Sequence, residues 1–176
     1  NEMVDAVLAP PPPTGTRDSP LKFADFFCGI GGFHIAAANL GLEAVFACDI
    51  DANARSVYQT NFGLAPEGDI TAIRTKDIPD HDILFAGFPC QPFSIIGAQR
   101  GFADPRGTLF FEIARILRAK KPQGVVLENV KQLATVQKGA VLKRILDDLT
   151  ALGYTVDHRI LNALDFGLPQ KRERTI

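Results

Sequence analysis

The sequence predicts an α/β fold with a mostly parallel sheet and helices on both of its faces. Short apolar runs typical of buried strands alternate with longer stretches of helical periodicity. Glycines repeatedly mark the points where strand-like segments turn into helices and where helical segments end. The composition, 46% hydrophobic and 22% charged, is that of an ordinary globular protein. No apolar run approaches the roughly 20 residues that a membrane-spanning helix needs.

The first half of this pattern begins at Lys22. The apolar run KFADFF predicts a strand over residues 22–27, and the glycine-opened segment 31–41 predicts a helix that ends at Gly41. EAVFACD predicts a second strand over 43–49. The segment 51–63 predicts a helix, because Asp51 is a favourable N-cap and apolar side chains recur on one face. A third strand is expected to end near Asp69.

The second half repeats the alternation. HDILFAG predicts a strand over 81–87, and the segment 108–121 predicts a helix with a broad apolar face and a basic last turn. GVVLEN predicts a strand over 124–129, and the strongly amphipathic segment 140–153 predicts a helix that ends in glycine. YTVDHRILNA predicts a last strand over 154–163. We expect residues 1–20, which are rich in proline without apolar periodicity, to form a flexible tail or linker, so the domain spans residues 21–176.

Charge and cysteine content narrow the function classes. The net charge of −1 gives no indication of a nucleic-acid partner. The three cysteines, Cys28, Cys48 and Cys90, form no CxxC pair, so neither a zinc site nor a disulfide framework is indicated. We therefore expect no metal and a reducing, cytoplasmic location without membrane contact.

A glycine turn follows the first predicted strand, with glycines at positions 29, 31 and 32. Such a turn lets a ligand approach the backbone and the free N–H groups of the following helix. A dinucleotide fingerprint would need a glycine where His34 stands, which weakens the pyrophosphate interpretation. A tight turn without a ligand remains an alternative.

Two acidic residues extend this candidate cofactor site. Asp49 ends the second predicted strand, where a carboxylate accepts hydrogen bonds from ribose hydroxyls. An adenosine-bearing cofactor is therefore predicted, either a nicotinamide nucleotide or S-adenosylmethionine. Asp69 could reach the exocyclic amine of an adenine, although taken alone it is better explained as a turn residue.

The stretch GFPCQPFS places Cys90 between Pro89 and Pro92, just beyond a predicted buried strand. Glu128 lies near the carboxyl end of the predicted strand 124–129, so the two residues should meet in the same crevice of the sheet edge. Arg172 and Arg174 are spaced by two and share one side of an extended segment. Cys90 is either a thiolate nucleophile or a small apolar residue packed in a rigid turn.

Six stretches in this order resemble the cytosine-5 DNA methyltransferases of bacterial restriction–modification systems: FADFFCGIGGF, GDI, GFPCQPFS, RGTLFFEIARIL, ENV and LPQKRER. The resemblance covers nearly all of residues 22–176. It implies a Rossmann-like, S-adenosylmethionine-dependent methyltransferase fold that is incomplete at its C-terminus. It also implies a DNA (cytosine-5-)-methyltransferase activity on a base flipped out of double-stranded DNA.

The resemblance implies a role for each candidate catalytic residue. Cys90 matches the nucleophile that adds to C6 of cytosine, and Glu128 matches the residue that hydrogen-bonds N3. Arg172 and Arg174 match the basic pair near the base. S-adenosylmethionine supplies the methyl group and leaves as S-adenosylhomocysteine.

Further roles implied by the resemblance concern cofactor and phosphate contacts. Asp49 matches the ribose ligand, Asp69 the adenine ligand, and Ile50 occupies a position that often stacks on adenine. Ser94 and Gln99 match phosphate contacts in a mobile flap, for which a plain surface loop is the alternative. The remaining residues implied to border the cofactor are Phe27, Gly29, Gly31, Gly32 and Pro89.

Family members continue with further sheet strands, a target recognition domain and a returning helix that this sequence does not contain. We therefore expect a truncated enzyme, or one half of a split enzyme whose partner chain carries the recognition region. The expected partner is double-stranded DNA, in a bacterial cytoplasm and close to the nucleoid. Two alternatives remain: a tRNA cytosine-5 methyltransferase that shares the fold, and a non-catalytic subunit that binds S-adenosylmethionine.

Overall fold

The computed structural model describes residues 19–89 and 108–176. At its centre lies a four-stranded parallel sheet with the strand order β2-β1-β3-β4. A three-stranded antiparallel sheet, in the order β5-β7-β6, adjoins it. The strands are β1 (Lys22–Phe26), β2 (Glu43–Cys48), β3 (Ile83–Ala86), β4 (Gly124–Leu127), β5 (Asn129–Val130), β6 (Ile160–Asn162) and β7 (Glu173–Thr175).

Helices follow the strands of the parallel sheet as the sequence predicts. Asp51 caps the second of them by accepting hydrogen bonds from the backbone N–H groups of Asn53 and Ala54. The fourth begins after Gly139, whose φ of 84° is a left-handed conformation that favours glycine. The helices are α1 (Gly32–Asn39), α2 (Ala52–Phe62), α3 (Thr108–Lys120) and α4 (Ala140–Ala151).

Alternate residues of β1 face opposite sides of the sheet. Ala24 and Phe26 belong to the main hydrophobic core, together with the buried faces of α3 and α4. Phe23 points the other way and packs edge-on against His34 of α1. The predicted α/β class, with helices on both faces of a parallel sheet, is therefore confirmed.

Two predicted strands differ from the structure. Before Asp69 there is only an isolated parallel bridge between Cys48 and Glu67, because the Asp69 carboxylate turns the chain by accepting from the Thr71 N–H at 2.9 Å. The predicted last strand, 154–163, shortens to β6 because its partner β7 is itself short, and it pairs antiparallel rather than parallel.

The predicted tail lies outside the described residues except for its last two positions. Among the helices that the structure describes, none is long and apolar enough to cross a bilayer.

Candidate active site

The glycine turn after β1 is built from left-handed backbone conformations. Phe27 has φ 57°, Gly29 has φ 52° and Gly31 has φ 98°. Only glycine adopts such conformations at little cost, so Phe27 is a strained position of the kind that clusters at ligand sites. The turn ends at Gly32, the first residue of α1, where backbone N–H groups have no partner within the helix.

Asp49 ties this turn to the end of β2. Its Oδ2 accepts the Gly29 N–H at 2.8 Å, and its Oδ1 accepts the Asp51 N–H at 2.9 Å. An ionised carboxylate has about four acceptor sites, so hydroxyl groups of a ligand can still be accepted. Asp49 is half-buried, and the adjoining Ile50 side chain is 74% exposed beside it. The structure therefore brings together the predicted turn and the predicted ribose ligand.

An aromatic cluster of His34, Tyr58 and Phe62 packs against the glycine turn. The rings of His34 and Phe62 stack with centroids 3.9 Å apart, and His34 Nδ1 lies 2.7 Å from the Tyr58 hydroxyl. A Cβ atom at Gly31 would overlap the Phe62 ring. Gly31 is therefore restricted to glycine by packing as well as by its backbone conformation.

Asp25 is an acidic residue in this region to which the sequence analysis assigned no role. It is fully buried in β1, and neither of its carboxylate oxygens has a hydrogen-bond partner among the described residues. Burial, together with the nearby Asp49 carboxylate, raises its pKa to about 7. The available signal was a charged residue inside the apolar run KFADFF, which is costly unless it has a task.

Asp69 and Pro89 are two exposed members of the predicted cofactor set. The bridge between Cys48 and Glu67 brings the segment that contains Asp69 beside the end of β2. Asp69 is exposed, and its Oδ1 caps a short 3-10 turn, so its turn role is observed. Pro89 is exposed at the end of the segment that follows β3.

Glu128 and the two predicted arginines form a second cluster at the carboxyl end of β4. Arg174 Nε lies 2.7 Å from Glu128 Oε1, and Arg172 Nη2 lies 3.8 Å from the same oxygen. The antiparallel pairing of β7 with β5 positions them, because it places Arg174 across from Val130. Glu128 and Arg174 are each 24% exposed, so this ion pair is partly shielded from solvent.

Gly87 lies between the glycine turn and the cluster of Glu128, Arg172 and Arg174. A Cβ atom at this position would lie 3.6 Å from Glu128 Oε2 and 3.9 Å from the Phe27 carbonyl oxygen. The glycine turn and the carboxylate therefore border the same point, just before Cys90 in sequence. The buried Asn129 side chain also donates a hydrogen bond to the Phe88 carbonyl at 2.9 Å. Neither Gly87 nor Asn129 was singled out from the sequence.

The other candidate residues, Cys90, Ser94 and Gln99, lie outside the described residues. The two remaining cysteines are buried. Burial raises the pKa of the Cys48 thiol to about 12, and burial with the Asp25 charge nearby raises that of Cys28. Both are therefore poor nucleophiles at neutral pH.

Comparison with known proteins assigns the chain to a family. Residues 21–176 match the family described as C-5 cytosine-specific DNA methylase. The chain is 58% identical over 153 residues to the type II methyltransferase M.HaeII of Haemophilus aegyptius, covering 87% of this chain and 48% of that protein. It is 54% identical over 154 residues to M.HhaI of Haemophilus parahaemolyticus, with 88% and 47% covered.

Solved structures agree with the sequence comparison. The crystal structure of S. pombe Dnmt2 methyltransferase matches with a TM-score of 0.69 at 28% identity, covering 88% of this chain and 49% of that chain. The structure of Entamoeba histolytica methyltransferase EhMeth matches with a TM-score of 0.72 at 26% identity, covering 89% and 52%. The chain thus spans about half the length of the relatives it matches. It belongs to the C-5 cytosine-specific DNA methylase family.

Proposed function

We propose that this chain carries the cofactor-binding and catalytic part of an enzyme that transfers a methyl group from S-adenosylmethionine to C5 of cytosine in double-stranded DNA. The observation that carries the proposal is the Glu128 carboxylate, held by Arg174 and Arg172, against Gly87 and the glycine turn. The glycine turn suits the methyl donor and the Glu128 cluster suits the base, and the two half-sites adjoin at Gly87. Family membership supports the same reaction.

The residues of the glycine turn fit S-adenosylmethionine. Free N–H groups at the start of α1 suit a carboxylate, and the Asp49 carboxylate suits ribose hydroxyls. The buried, unpartnered Asp25 carboxyl supplies an acceptor beneath the turn for a donor group on the ligand. The other residues that would border the cofactor are Phe27, Gly29, Gly31, Gly32, Ile50, Asp69 and Pro89. When bound, it supplies the electrophilic methyl group.

On the base side, each proposed role belongs to a residue of this chain. The Cys90 thiolate adds to C6 of the cytosine, which gives C5 the character of an enamine carbon. Glu128 hydrogen-bonds N3 and favours its protonated form, so electron density moves toward C5. After methyl transfer, loss of the C5 proton restores the ring and releases Cys90. The base leaves the duplex stack to reach this site, with Ser94 and Gln99 contacting phosphates.

Trapping the covalent intermediate tests this proposal. The substrate is DNA with 5-fluorocytosine at the target position, because fluorine at C5 cannot leave as a proton and the bond to C6 persists. The reaction contains S-adenosylmethionine and, as a second chain, the part of M.HaeII beyond the matched region. We expect a protein–DNA adduct that Cys90→Ser abolishes, because an alcohol is far less ionised than a thiol at neutral pH.

The buried cysteines provide the matched controls. Cys28→Ala and Cys48→Ala should both leave the adduct intact, because neither thiol ionises readily. An adduct that maps to either residue, or that survives Cys90→Ser, would make Cys90 a packed turn residue and overturn the mechanism. S-adenosylmethionine binding without any adduct or methyl transfer would indicate the non-catalytic subunit instead.

A tRNA substrate is the alternative within the same reaction class, because tRNA cytosine-5 methyltransferases share this fold. Transfer of a radiolabelled methyl group should be compared on DNA and on tRNA, with and without the second chain. We expect labelling of DNA. Labelling confined to tRNA would retain the site chemistry but overturn the DNA assignment.

A further inference from the structure

Arg115 of α3 is a partly buried arginine that the proposed mechanism does not use. Its Nη2 donates to the Ile73 carbonyl at 2.9 Å and lies 3.3 Å from the Ile70 carbonyl oxygen. Its Nε donates to Glu112 Oε2, one turn earlier on the same helix, at 2.7 Å. The side chains of Arg115 and Glu112 are 34% and 22% exposed, so this arrangement is more shielded than an ordinary surface ion pair. Arg115 therefore joins α3 to the backbone of residues 70–73.

The segment that Arg115 holds is a single 3-10 turn, Ile70–Ala72, which begins after Asp69. The hydrogen-bond geometry of such short turns is poorer than that of an α-helix. The last internal bond of this turn, from the Ile73 N–H to the Ile70 carbonyl, is long at 3.3 Å. Both carbonyls that Arg115 contacts lie at this end of the turn. The guanidinium thus supplies donors where the turn itself is held most weakly.

The same turn fixes the direction of the Asp69 carboxylate. The Ala72 N–H donates to the Asp69 carbonyl at 3.0 Å, and the Thr71 N–H donates to Asp69 Oδ1 at 2.9 Å. Asp69 is exposed, and an ionised carboxylate has about four acceptor sites, so it can still accept a donor group from a ligand. Moving the turn would move this carboxylate, because both bonds come from the backbone of the turn.

Asp69 also lies close to Asp49, the residue that suits ribose hydroxyls. Glu67 forms a parallel bridge with Cys48, and its carbonyl accepts the Asp49 N–H at 3.0 Å. Asp69 follows Glu67 by two residues, which span at most about 7 Å. A base joined to a ribose at Asp49 can therefore reach the Asp69 carboxylate.

We propose that Arg115 is a positioning residue that sets the selectivity for an adenine-bearing cofactor. By holding the carbonyls of Ile70 and Ile73, it keeps the Asp69 carboxylate where this group accepts the 6-amino group of adenine. Arg115 itself does not touch the cofactor and acts only through the turn. This role rests on the proposed function, because it takes S-adenosylmethionine and its product as the ligands of the glycine turn.

A cofactor analogue without the amino group tests this role. Calorimetry compares the binding of S-adenosylhomocysteine to the full chain with that of the analogue in which hydrogen replaces the 6-amino group. The parent should favour S-adenosylhomocysteine by at least about tenfold, because the analogue loses a hydrogen bond to a charged acceptor. Arg115→Gln should abolish most of this preference and leave the affinity for the analogue unchanged. Arg118→Gln, the same substitution at an exposed arginine of the same helix, should keep the full preference.

A double-mutant cycle with Asp69→Ala separates positioning from a general loss of structure. If Arg115 acts through Asp69, adding Arg115→Gln to Asp69→Ala should change the preference no further. Arg115→Lys keeps a charged donor but lacks the planar fork of the guanidinium, so its preference should be intermediate. This milder variant decides the matter if Arg115→Gln does not fold.

Three results would overturn the role of Arg115 and leave the proposed function in place. The first is an equal loss of affinity for both ligands in Arg115→Gln or Arg115→Lys. The second is that Arg115→Gln and Asp69→Ala affect the preference independently, and the third is a parent that binds both ligands equally. A parent that binds neither ligand would instead overturn the cofactor assignment of the proposed function, and this role with it.

Discussion

Asp25 is the residue whose charge fits its surroundings least. In the folded protein its pKa is raised to about 7 by burial, and in the unfolded chain an aspartate titrates near ~3.9. At pH values between these two pKa values, Asp25 is therefore protonated in the folded protein and ionised in the unfolded chain. The free energy of unfolding should therefore fall as pH rises through this window, by at most about 1.4 kcal/mol per pH unit, and level off above the folded pKa.

Asp25→Asn should remove this slope, because an amide does not titrate in the window. Urea unfolding of the two proteins at several pH values between 4 and 8, about the span between the two pKa values, measures the difference. The variant should gain stability relative to the parent as pH rises. Parallel curves across the range would show that the carboxyl group stays ionised in the folded protein.

Asp49 is the residue on which cofactor selectivity should depend. Its carboxylate accepts from Gly29 and Asp51 and offers further acceptor sites to ribose hydroxyls. We expect the chain to bind S-adenosylmethionine and S-adenosylhomocysteine but not NAD. Asp49→Ala should weaken binding by about 1–3 kcal/mol, the cost of leaving buried donors unpaired.

Titration calorimetry measures these affinities, and Asp49→Glu is the matched control because it keeps the carboxylate. Thermal unfolding of both variants separates a loss of binding from a loss of the turn itself. Equal affinity for NAD, or an Asp49→Ala variant that binds like the parent, would contradict the cofactor assignment.

Glu128 should affect the chemical step rather than cofactor binding. Glu128→Gln keeps the size of the side chain but removes the charge that pairs with Arg174. With DNA and the second chain present, methylation should slow by roughly 10²–10⁴-fold, as for a lost general acid, while S-adenosylmethionine affinity changes little. Lys131→Gln, which breaks the more exposed pair with Glu173 nearby, is the control and should retain most activity.

At the scale of elements, the turn between β1 and α1 is held by close packing on α2. Gly31 has φ 98°, and a Cβ atom there would overlap the Phe62 ring. Gly31→Ala should therefore destabilise the protein by about 1–3 kcal/mol through overpacking, and weaken cofactor binding. Gly32→Ala is the control for stability alone, because its Cβ would meet no atom within 4 Å and its φ is not positive.

Chemical denaturation of the two glycine variants gives the comparison. The Gly32 variant should lie within about 0.5 kcal/mol of the parent or gain slightly from alanine's helix propensity. If both variants lose the same stability, then packing on Phe62 does not restrain the turn.

The elements that depend on local pattern were predictable, and those that depend on distant partners were not. The helix at Ala52–Phe62 follows from the Asp51 cap and the glycine after it, which act within a few residues. The antiparallel sheet of β5, β6 and β7 was missed, because each of its strands has two or three residues and the pairing of β5 with β7 joins residues 44–46 positions apart in sequence.

The same distinction holds for the candidate site. The position of Glu128 at a strand end and of Arg172 and Arg174 on one side of an extended segment could be predicted from the sequence pattern. Their meeting depends on the pairing of β5 with β7 and was indicated only by the family resemblance. The role of Asn129 in holding Phe88 depends on a buried hydrogen bond that no local pattern reveals. Likewise, the proximity of Gly87 to Glu128 follows from how β3 and β4 pack side by side.

At the scale of the whole molecule, the site is built from two sheets that meet along β4 and β5. The glycine turn follows β1 of the parallel sheet. Arg174 lies in β7 of the antiparallel sheet, and Arg172 lies directly before that strand. The ion pair with Glu128 joins them.

This junction leads to a prediction for the chain as a whole. Residues 1–176 span about half of the relatives they match, and the apolar side chains of Val125 and Leu127 in β4 are only partly buried. We expect the chain alone to bind S-adenosylmethionine but to methylate DNA poorly, because the residues that bind a target base in DNA extend beyond the catalytic cluster of Glu128, Arg172 and Arg174. Adding the second chain derived from M.HaeII should restore transfer, with a rate that saturates as its concentration rises and a rise in thermal stability in parallel. Vigorous, sequence-specific methylation by residues 1–176 alone would contradict this prediction, whereas restored stability without restored transfer would confine the effect to folding.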